Sequence, residues 1–307
     1  MPDHVSYARG GTLAWSAEGW FRRAAVRRAA WLLALSLGAT ACSVVSPSSA
    51  SPKARTPTVA VRHSLRSSPA GRPSSSSRRT PRPLAGKIVG IDPGHNGLNH
   101  TDPAFLARQI WNGREWEDCN TTGTQTASGY TEALFNFNVA TYLAADLRKD
   151  GARVVLTRHN NHGLGPCVNR RSTMLNHTDV AIDIHADGGP TAGRGFTVLE
   201  PVADGPNDNV IASSLRFGHY VHQAFLAGTP MGVSDYYGHD GYIFRDDLAG
   251  LNLTTVPKVL IECGNMPNAA DAALLTTPRV QRRIARALEA AIIRFLTGRW
   301  PPGHRSG

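Results

Sequence analysis

The 307-residue chain is 41% apolar and carries a formal net charge of +10, enough apolar content for a sizeable core. Residues 1–83 hold 13 basic and 2 acidic side chains, whereas residues 84–298 hold 18 and 21, so the globular part is slightly acidic. That distribution argues against a nucleic-acid-binding fold, which needs its basic residues on the folded surface, and leaves open a loose attraction of the N-terminal region to anionic polymer or lipid.

In chain order, residues 1–42 read as an export-signal region. Arg22, Arg23, Arg27 and Arg28 precede an apolar run from Ala29 to Leu37 and small residues from Gly38 to Ala41, the three segments of a secretory signal. The run is too short to span a bilayer comfortably. Two processing readings stand open: cleavage after Ala39-Thr40-Ala41, or lipidation of Cys42. The paired arginines also match a twin-arginine signal weakly, and a start nearer Val26 is an alternative because the residues before Arg22 have no role in either reading. Residues 43–83 are Ser, Pro, Ala and Arg with few large apolar side chains and read as a disordered tether. One domain is expected over 84–298, followed by a flexible tail, 299–307.

The domain opens on Ile88-Val89-Gly90-Ile91, a short β-branched run read as a buried strand that Pro93 stops, leaving His95 at its carboxyl end. Asn96 to Gly129 is polar and Gly-rich, long enough for a functional loop. Thr131 caps a helix running to about Lys149, with Phe135, Val139, Tyr142, Leu143 and Leu147 on one face and Gly151 beyond its end. Ala152 to Thr157 is a strand, Cys167 to Asn176 a helix, Asp179 to His185 a strand and Phe196 to Leu199 another. Asn207 to Ala227 is a helix, Tyr242 to Arg245 a short strand or turn, Lys258 to Glu262 the last central strand, and Pro278 to Leu296 a closing amphipathic helix. The alternation predicts a single-domain α/β fold of the phosphorylase/hydrolase-like kind: a twisted, mostly parallel or mixed sheet with helices on both faces.

Two further strands end on chemistry-bearing residues, His185 and Glu262, and the helix after Thr131 begins on Glu132. In an open α/β sheet these ends share one rim. His95, Glu132, His185 and Glu262 can therefore converge. Two imidazoles and a carboxylate make a catalytic zinc ligand set, and a second carboxylate supplies a general base. Each residue also has a plainer reading: a hydrogen-bonded strand-end His, or a first-turn carboxylate favoured by the helix dipole. Glu262 resists it, because it emerges from a buried strand where an unpaired carboxylate costs several kcal/mol.

These residues sit in motifs that resemble the zinc-dependent N-acetylmuramoyl-L-alanine amidases of the type 3 amidase family, most closely its compact mycobacterial and actinobacterial members, over residues 86–297. Asp92-Pro93-Gly94-His95 resembles the family's D-x-G-H, Glu132 with Asn136 its E-x-x-x-N, and Thr157-Arg158 its strand-ending T-R. Arg170 and Arg171 with Asn176 resemble its R-x-x-x-A-N helix, His185-Ala186-Asp187 its S-x-H-x-N/D, and Pro257 to Gly264 its P-x-V-L-V-E-x-G. Asp183 stands where the family usually has Ser, and the insertion is longer than in minimal members. The resemblance implies one Zn²⁺ held by His95, Glu132 and His185, with Glu262 as the catalytic base. It implies cleavage of the amide joining N-acetylmuramic acid to L-alanine in peptidoglycan, by an exported protein of the periplasm or cell wall. The protein is expected to be a monomer, with loose wall or membrane association through its N-terminal region.

Competing readings are a thiol hydrolase using Cys263, a zinc-stabilised wall-binding module that a retained Glu262 argues against, and an amidohydrolase acting on another exported peptide amide. No wall-binding module is recognisable. The stem peptide is undetermined, with Trp111, Trp116 and Tyr130 as candidates for lining the cleft and His239, Asp240 and Arg245 for meeting stem carboxylates. Of the four cysteines, Cys42 lies in the signal and Cys263 in a buried strand. Cys119 and Cys167, in polar segments of an exported domain, are expected to pair, two free thiols being the alternative.

Overall fold

The structure, a computed structural model, describes residues 82–203 and 205–303. The expected signal region, with Cys42, and the tether up to residue 81 lie outside them. Among the described residues no helix is long and apolar enough to cross a membrane.

β1 (Ile88–Pro93), β4 (Arg153–Leu156), β5 (Val180–Asp187), β6 (Thr197–Pro201), β7 (Tyr242–Arg245) and β8 (Lys258–Asn265) make one sheet in the order β4-β1-β5-β8-β6-β7. The first four are parallel; β6 runs antiparallel to β8, and β7 follows β6. The expected mixed α/β sheet is therefore present. β5 and β8 run past His185 and Glu262 to Asp187 and Asn265, with a register shift between His185 and Asp187. These two residues thus lie inside their strands near the rim, not at the last position, because the backbone of β5 and β8 stays paired beyond them.

Period-two alternation sorts the side chains of these strands. Val89, Ile91, Ile182, Ile184, Val259, Ile261 and Cys263 face the main core. There they meet α2 (Glu132–Lys149), α4 (Ile211–Gly228) and α7 (Pro278–Thr297) through Phe135, Val139, Phe217, Val221, Ile284 and Leu288. The other face packs Ala181 and Leu260 against α3 (Val168–Leu175) and α5 (Ala249–Asn252) through Leu175 and Leu251. Asp92, Asp183, His185 and Glu262 fall on this second face, with Asp92 beside Asp183 and His185 beside Glu262 in register. Along β1, β5 and β8 as far as Cys263 the core side is thus apolar, and the other side carries the charge.

The helix ends follow their capping chemistry. Thr131 Oγ1 accepts Leu134 N–H at 3.4 Å, and Gly151 at φ 100° turns the chain after α2. Pro278 opens α7 and Gly298 ends it at φ 72°. In the segment read as a flexible tail, Trp300 packs 5.9 Å from the Tyr220 ring, so ordered packing extends past Gly298. α6 (Ala269–Leu275) was not read from the sequence, although Asn268 caps it by accepting Ala270 and Asp271 N–H.

The insertion is more structured than a loop. It holds α1 (Pro103–Leu106) and an antiparallel hairpin of β2 (Gln109–Trp111) and β3 (Trp116–Asp118). Three-residue strands are too short to leave a readable period. Asn112 closes the turn by accepting Arg114 and Glu115 N–H, and its amide donates to Asp247 O at 3.2 Å. Cys119 and Cys167 are bridged, across a sequence separation of 48, tying the end of β3 to the start of α3; Cys263 is buried and unbridged. Closing such a loop is worth up to about 4 kcal/mol in the chain-entropy model. The Cys119→Ser/Cys167→Ser protein is expected to lose most of that in denaturant unfolding. Free alkylation of both thiols in the parent protein, purified without reductant, would show that the bridge is absent.

Glu200 on β6 is 6% exposed beneath Gly218 of α4, and burial pushes its carboxyl up to about 7. A folded-state pKa above the unfolded one makes its contribution fully present below about pH 4.5 and lost as pH rises through about 7. Glu200→Gln should remove a decline of about 2–3 kcal/mol between pH 5 and 8. Equal pH slopes of unfolding free energy in parent and variant would clear Glu200 of this role.

Candidate metal centre

His95 follows the Pro93-Gly94 turn with φ 56°, a left-handed backbone uncommon outside glycine. Two buried arginines hold it there. Arg158 donates to Pro93 O at 2.9 Å and to Gly94 O at 3.2 Å. Arg171 donates to Pro93 O at 2.9 Å, to His95 O at 2.8 Å and to Asp92 Oδ1 at 2.6 Å. Of the two arginines read at this helix, Arg171 is the one that reaches the turn. Asn176 instead braces the approach to β8, donating to Leu253 O and accepting Thr255 N–H.

The imidazole is oriented from the insertion. His95 Nδ1 lies 3.1 Å from Thr121 O, which leaves Nε2 facing Glu132 Oε2 at 3.1 Å. Thr121 O also accepts Asn99 Nδ2 at 2.6 Å, and Asn99 Oδ1 accepts Asn96 Nδ2. Sequence reasoning missed Thr121, Asn96 and Asn99; a backbone carbonyl leaves no side-chain signature.

Glu132 enters from the first turn of α2 on the opposite sheet face. Its Oε1 is 2.8 Å from His185 Nδ1 and accepts Asn136 Nδ2 and Ala186 N–H; Oε2 accepts Thr124 N–H at 3.0 Å. Asn136 also donates to Gly94 O. The His95 and His185 rings meet edge-on at 4.9 Å, and one donor atom from each of His95, Glu132 and His185 lies within 4.8 Å of the others. Glycines make the approach possible. A Cβ on Gly94 would strike the His185 ring, and one on Gly123, at φ 73°, would crowd His95 and Glu132.

Glu262 lies beside this trio, half-buried, and its enclosed Oε2 has no hydrogen-bond partner. Burial and then the negative charges of Glu132 and Asp187 push its carboxyl well above the ordinary range. For Glu132 burial works upward, but His95 and the hydrogen bonds from both imidazoles outweigh it and hold the group well below. Burial would lower His95, yet the Glu132 carboxylate and Thr121 carbonyl raise it; burial lowers His185 despite Glu132. Two imidazoles and a carboxylate meeting within 4.8 Å, next to a second carboxylate whose Oε2 has no partner, form a compact N and O donor set. It suits a divalent cation with N and O preference.

Asp183 does not touch His185. It pairs with the fully buried Lys258 at 2.8 Å beneath a cleft of about 180 Å³, and burial, only partly offset by Lys258, raises it to about 7. Of the cleft candidates, Tyr130 is spent elsewhere, its hydroxyl accepting Asn138 and Gln281 side chains between α2 and α7. Trp111 and Trp116 point outward from the hairpin. His239 and Asp240 pair with each other in solvent, and Arg245 is neutralised by both oxygens of Asp247.

A family model described as N-acetylmuramoyl-L-alanine amidase matches residues 89–294. The chain is 40% identical over 232 residues to the N-acetylmuramoyl-L-alanine amidase Rv3717 of Mycobacterium tuberculosis, covering 72% of this chain and 91% of the relative. The crystal structure of Ami1, an N-acetylmuramyl-L-alanine amidase from Mycobacterium smegmatis, superposes with a TM-score of 0.66 at 38% identity, over 70% of this chain and 99% of that one. Apo Ami1 from Mycobacterium abscessus gives 0.65, also at 38%, over 69% and 100%. With the fold, the motifs and the matched span agreeing, the chain belongs to the N-acetylmuramoyl-L-alanine amidase family of peptidoglycan hydrolases.

Proposed function

We propose that His95, Glu132 and His185 hold one zinc ion, and that Glu262 moves the proton as the chain hydrolyses the amide between the N-acetylmuramic acid lactyl group and L-alanine. The observation that carries this reading is the clustering of the three donors beside the unpartnered, buried Glu262 Oε2. Zinc in such a site supplies Lewis acidity, bringing a bound water towards a pKa of about 7 and polarising the scissile carbonyl.

The chain's own groups do the rest. Glu262 Oε2 takes a proton from the attacking water and returns it to the departing L-alanine amine. A carboxyl held above the ordinary carboxylate range by burial and its acidic neighbours is better able to return the proton it has taken. Thr121 O fixes the His95 tautomer, and Asn136 ties Glu132 to Gly94. Arg158 and Arg171 keep the turn that presents His95 from relaxing. Cys263 has no part in this: it faces the apolar core, and burial pushes its thiol well above the usual range.

We further read residues 1–42 as the export signal, with lipid attachment at Cys42 as one form, residues 43–83 as the tether, and the working protein as a monomer in the wall. Purified peptidoglycan is the deciding substrate. Release of free stem peptides that a chelator stops and zinc restores is the expected result. Release unaffected by prolonged chelation, or cleavage of glycosidic bonds instead, would overturn the assignment.

A further inference from the structure

We propose that the outer face of the β2–β3 hairpin binds the glycan strand of the polymer beyond the sugar whose amide is cut, an inference that rests on the hydrolase reading above. Alternation along the two short strands puts Gln109, Trp111, Trp116 and Asp118 on one face and Ile110 and Glu117 on the other. Trp111 and Trp116 are directly opposite each other, 46% and 66% exposed, with ring centroids 5.7 Å apart. A single exposed apolar side chain needs no explanation, but two adjacent indoles left in water mark a surface that something covers.

The neighbouring groups say what. Gln109 Nε2 donates to Asp118 Oδ1 at 2.5 Å on the same face, so a planar amide and a carboxylate flank the indoles. Aromatic faces that pack on the C–H faces of a sugar ring, edged by groups that bond hydroxyls and acetamides, form an amphipathic surface of the right kind for an N-acetylated glycan. Glu117 on the inner face and Asp118 on this one both line the cleft, so the hairpin borders the site. From Trp116 the chain reaches Thr121, the residue orienting His95, in five steps, a span of at most about 17 Å. That bound keeps the indoles within reach of a glycan strand whose cut sugar lies in the cleft. The platform is rigid as well: Asn112 closes the turn and binds Asp247 O, and the Cys119–Cys167 bridge follows β3 at once. Pre-organisation lowers the entropic cost of binding. Glu115, Glu117 and Asp118 on this hairpin disfavour an anionic lipid surface as the occupant.

The test compares the full exported chain with Trp111→Ala/Trp116→Ala and with Trp111→Tyr/Trp116→Tyr, using glycan strands stripped of their peptides as the binding probe. The Ala pair should weaken binding to stripped glycan about tenfold. It should lower the ratio of kcat/KM on polymer to kcat/KM on a single-sugar muropeptide by a similar factor, through KM, and the Tyr pair should restore most of both. Equal glycan binding by parent and Ala pair would overturn the proposal, as would an equal loss on both substrates. A concentration-dependent dimer abolished by the Ala pair would overturn it too, making the indoles a contact between copies. A parent that binds stripped glycan but cuts neither substrate would sink the hydrolase reading and leave the glycan platform standing.

Discussion

Glu262→Gln is expected to keep one zinc per chain and to lose at least about a hundredfold in kcat on a muropeptide. The amide preserves the shape of the side chain on β8 beside His185 but cannot accept the proton of the attacking water. The substitution also removes a carboxyl that desolvation and its acidic neighbours disfavour when ionised, so the folded state should be no less stable than the parent. The two effects separate chemistry from folding. Because the Glu262 pKa is raised, its ionised form accumulates only as pH increases, and the acid limb of kcat/KM should lie above the ordinary carboxylate range. Bound cation pulls that limb downward, and in Glu262→Gln it should vanish. Turnover by zinc-loaded Glu262→Gln within a few-fold of the parent would remove Glu262 from the proton-transfer role.

His185→Ala, and independently His95→Ala, should leave the protein without stoichiometric zinc after dialysis and without measurable amidase activity. The loss in metal affinity should exceed the roughly 10–100-fold that losing an outer-shell partner costs, because a donor itself is gone. Neither imidazole is part of the apolar core, so both variants should fold. Asn136→Ala offers the graded comparison: it removes one hydrogen bond to Glu132 and one to Gly94 while leaving all three donors, and should fall in the outer-shell range. Elemental analysis beside thermal unfolding with and without chelator checks all three. Full zinc occupancy in both His variants would sink the ligand assignment.

Much of the arrangement was legible along the chain because it is written in local terms. Pro93 and Gly94 end a β-branched run, Thr131 and Pro278 open helices, and the alternation of Ile182, Asp183, Ile184 and His185 puts Asp183 and His185 on the face away from the apolar core. Apolar period, capping residues and turn formers are properties of a few consecutive positions, so the mixed α/β class and the rim of His95, Glu132, His185 and Glu262 could be read without coordinates. What decides the site's working environment is not local. Thr121 O reaches His95 across 26 positions, Arg171 reaches the same turn across more than 70, and Lys258 neutralises Asp183 from another strand. Backbone carbonyls look alike in every sequence, and a buried arginine is indistinguishable from a surface one until packing encloses it. The hairpin's orientation is of the same kind. Its strands are too short to carry a period, and only the sheet, the Asp247 anchor and the Cys119–Cys167 bridge determine that Trp111 and Trp116 face solvent rather than the cleft.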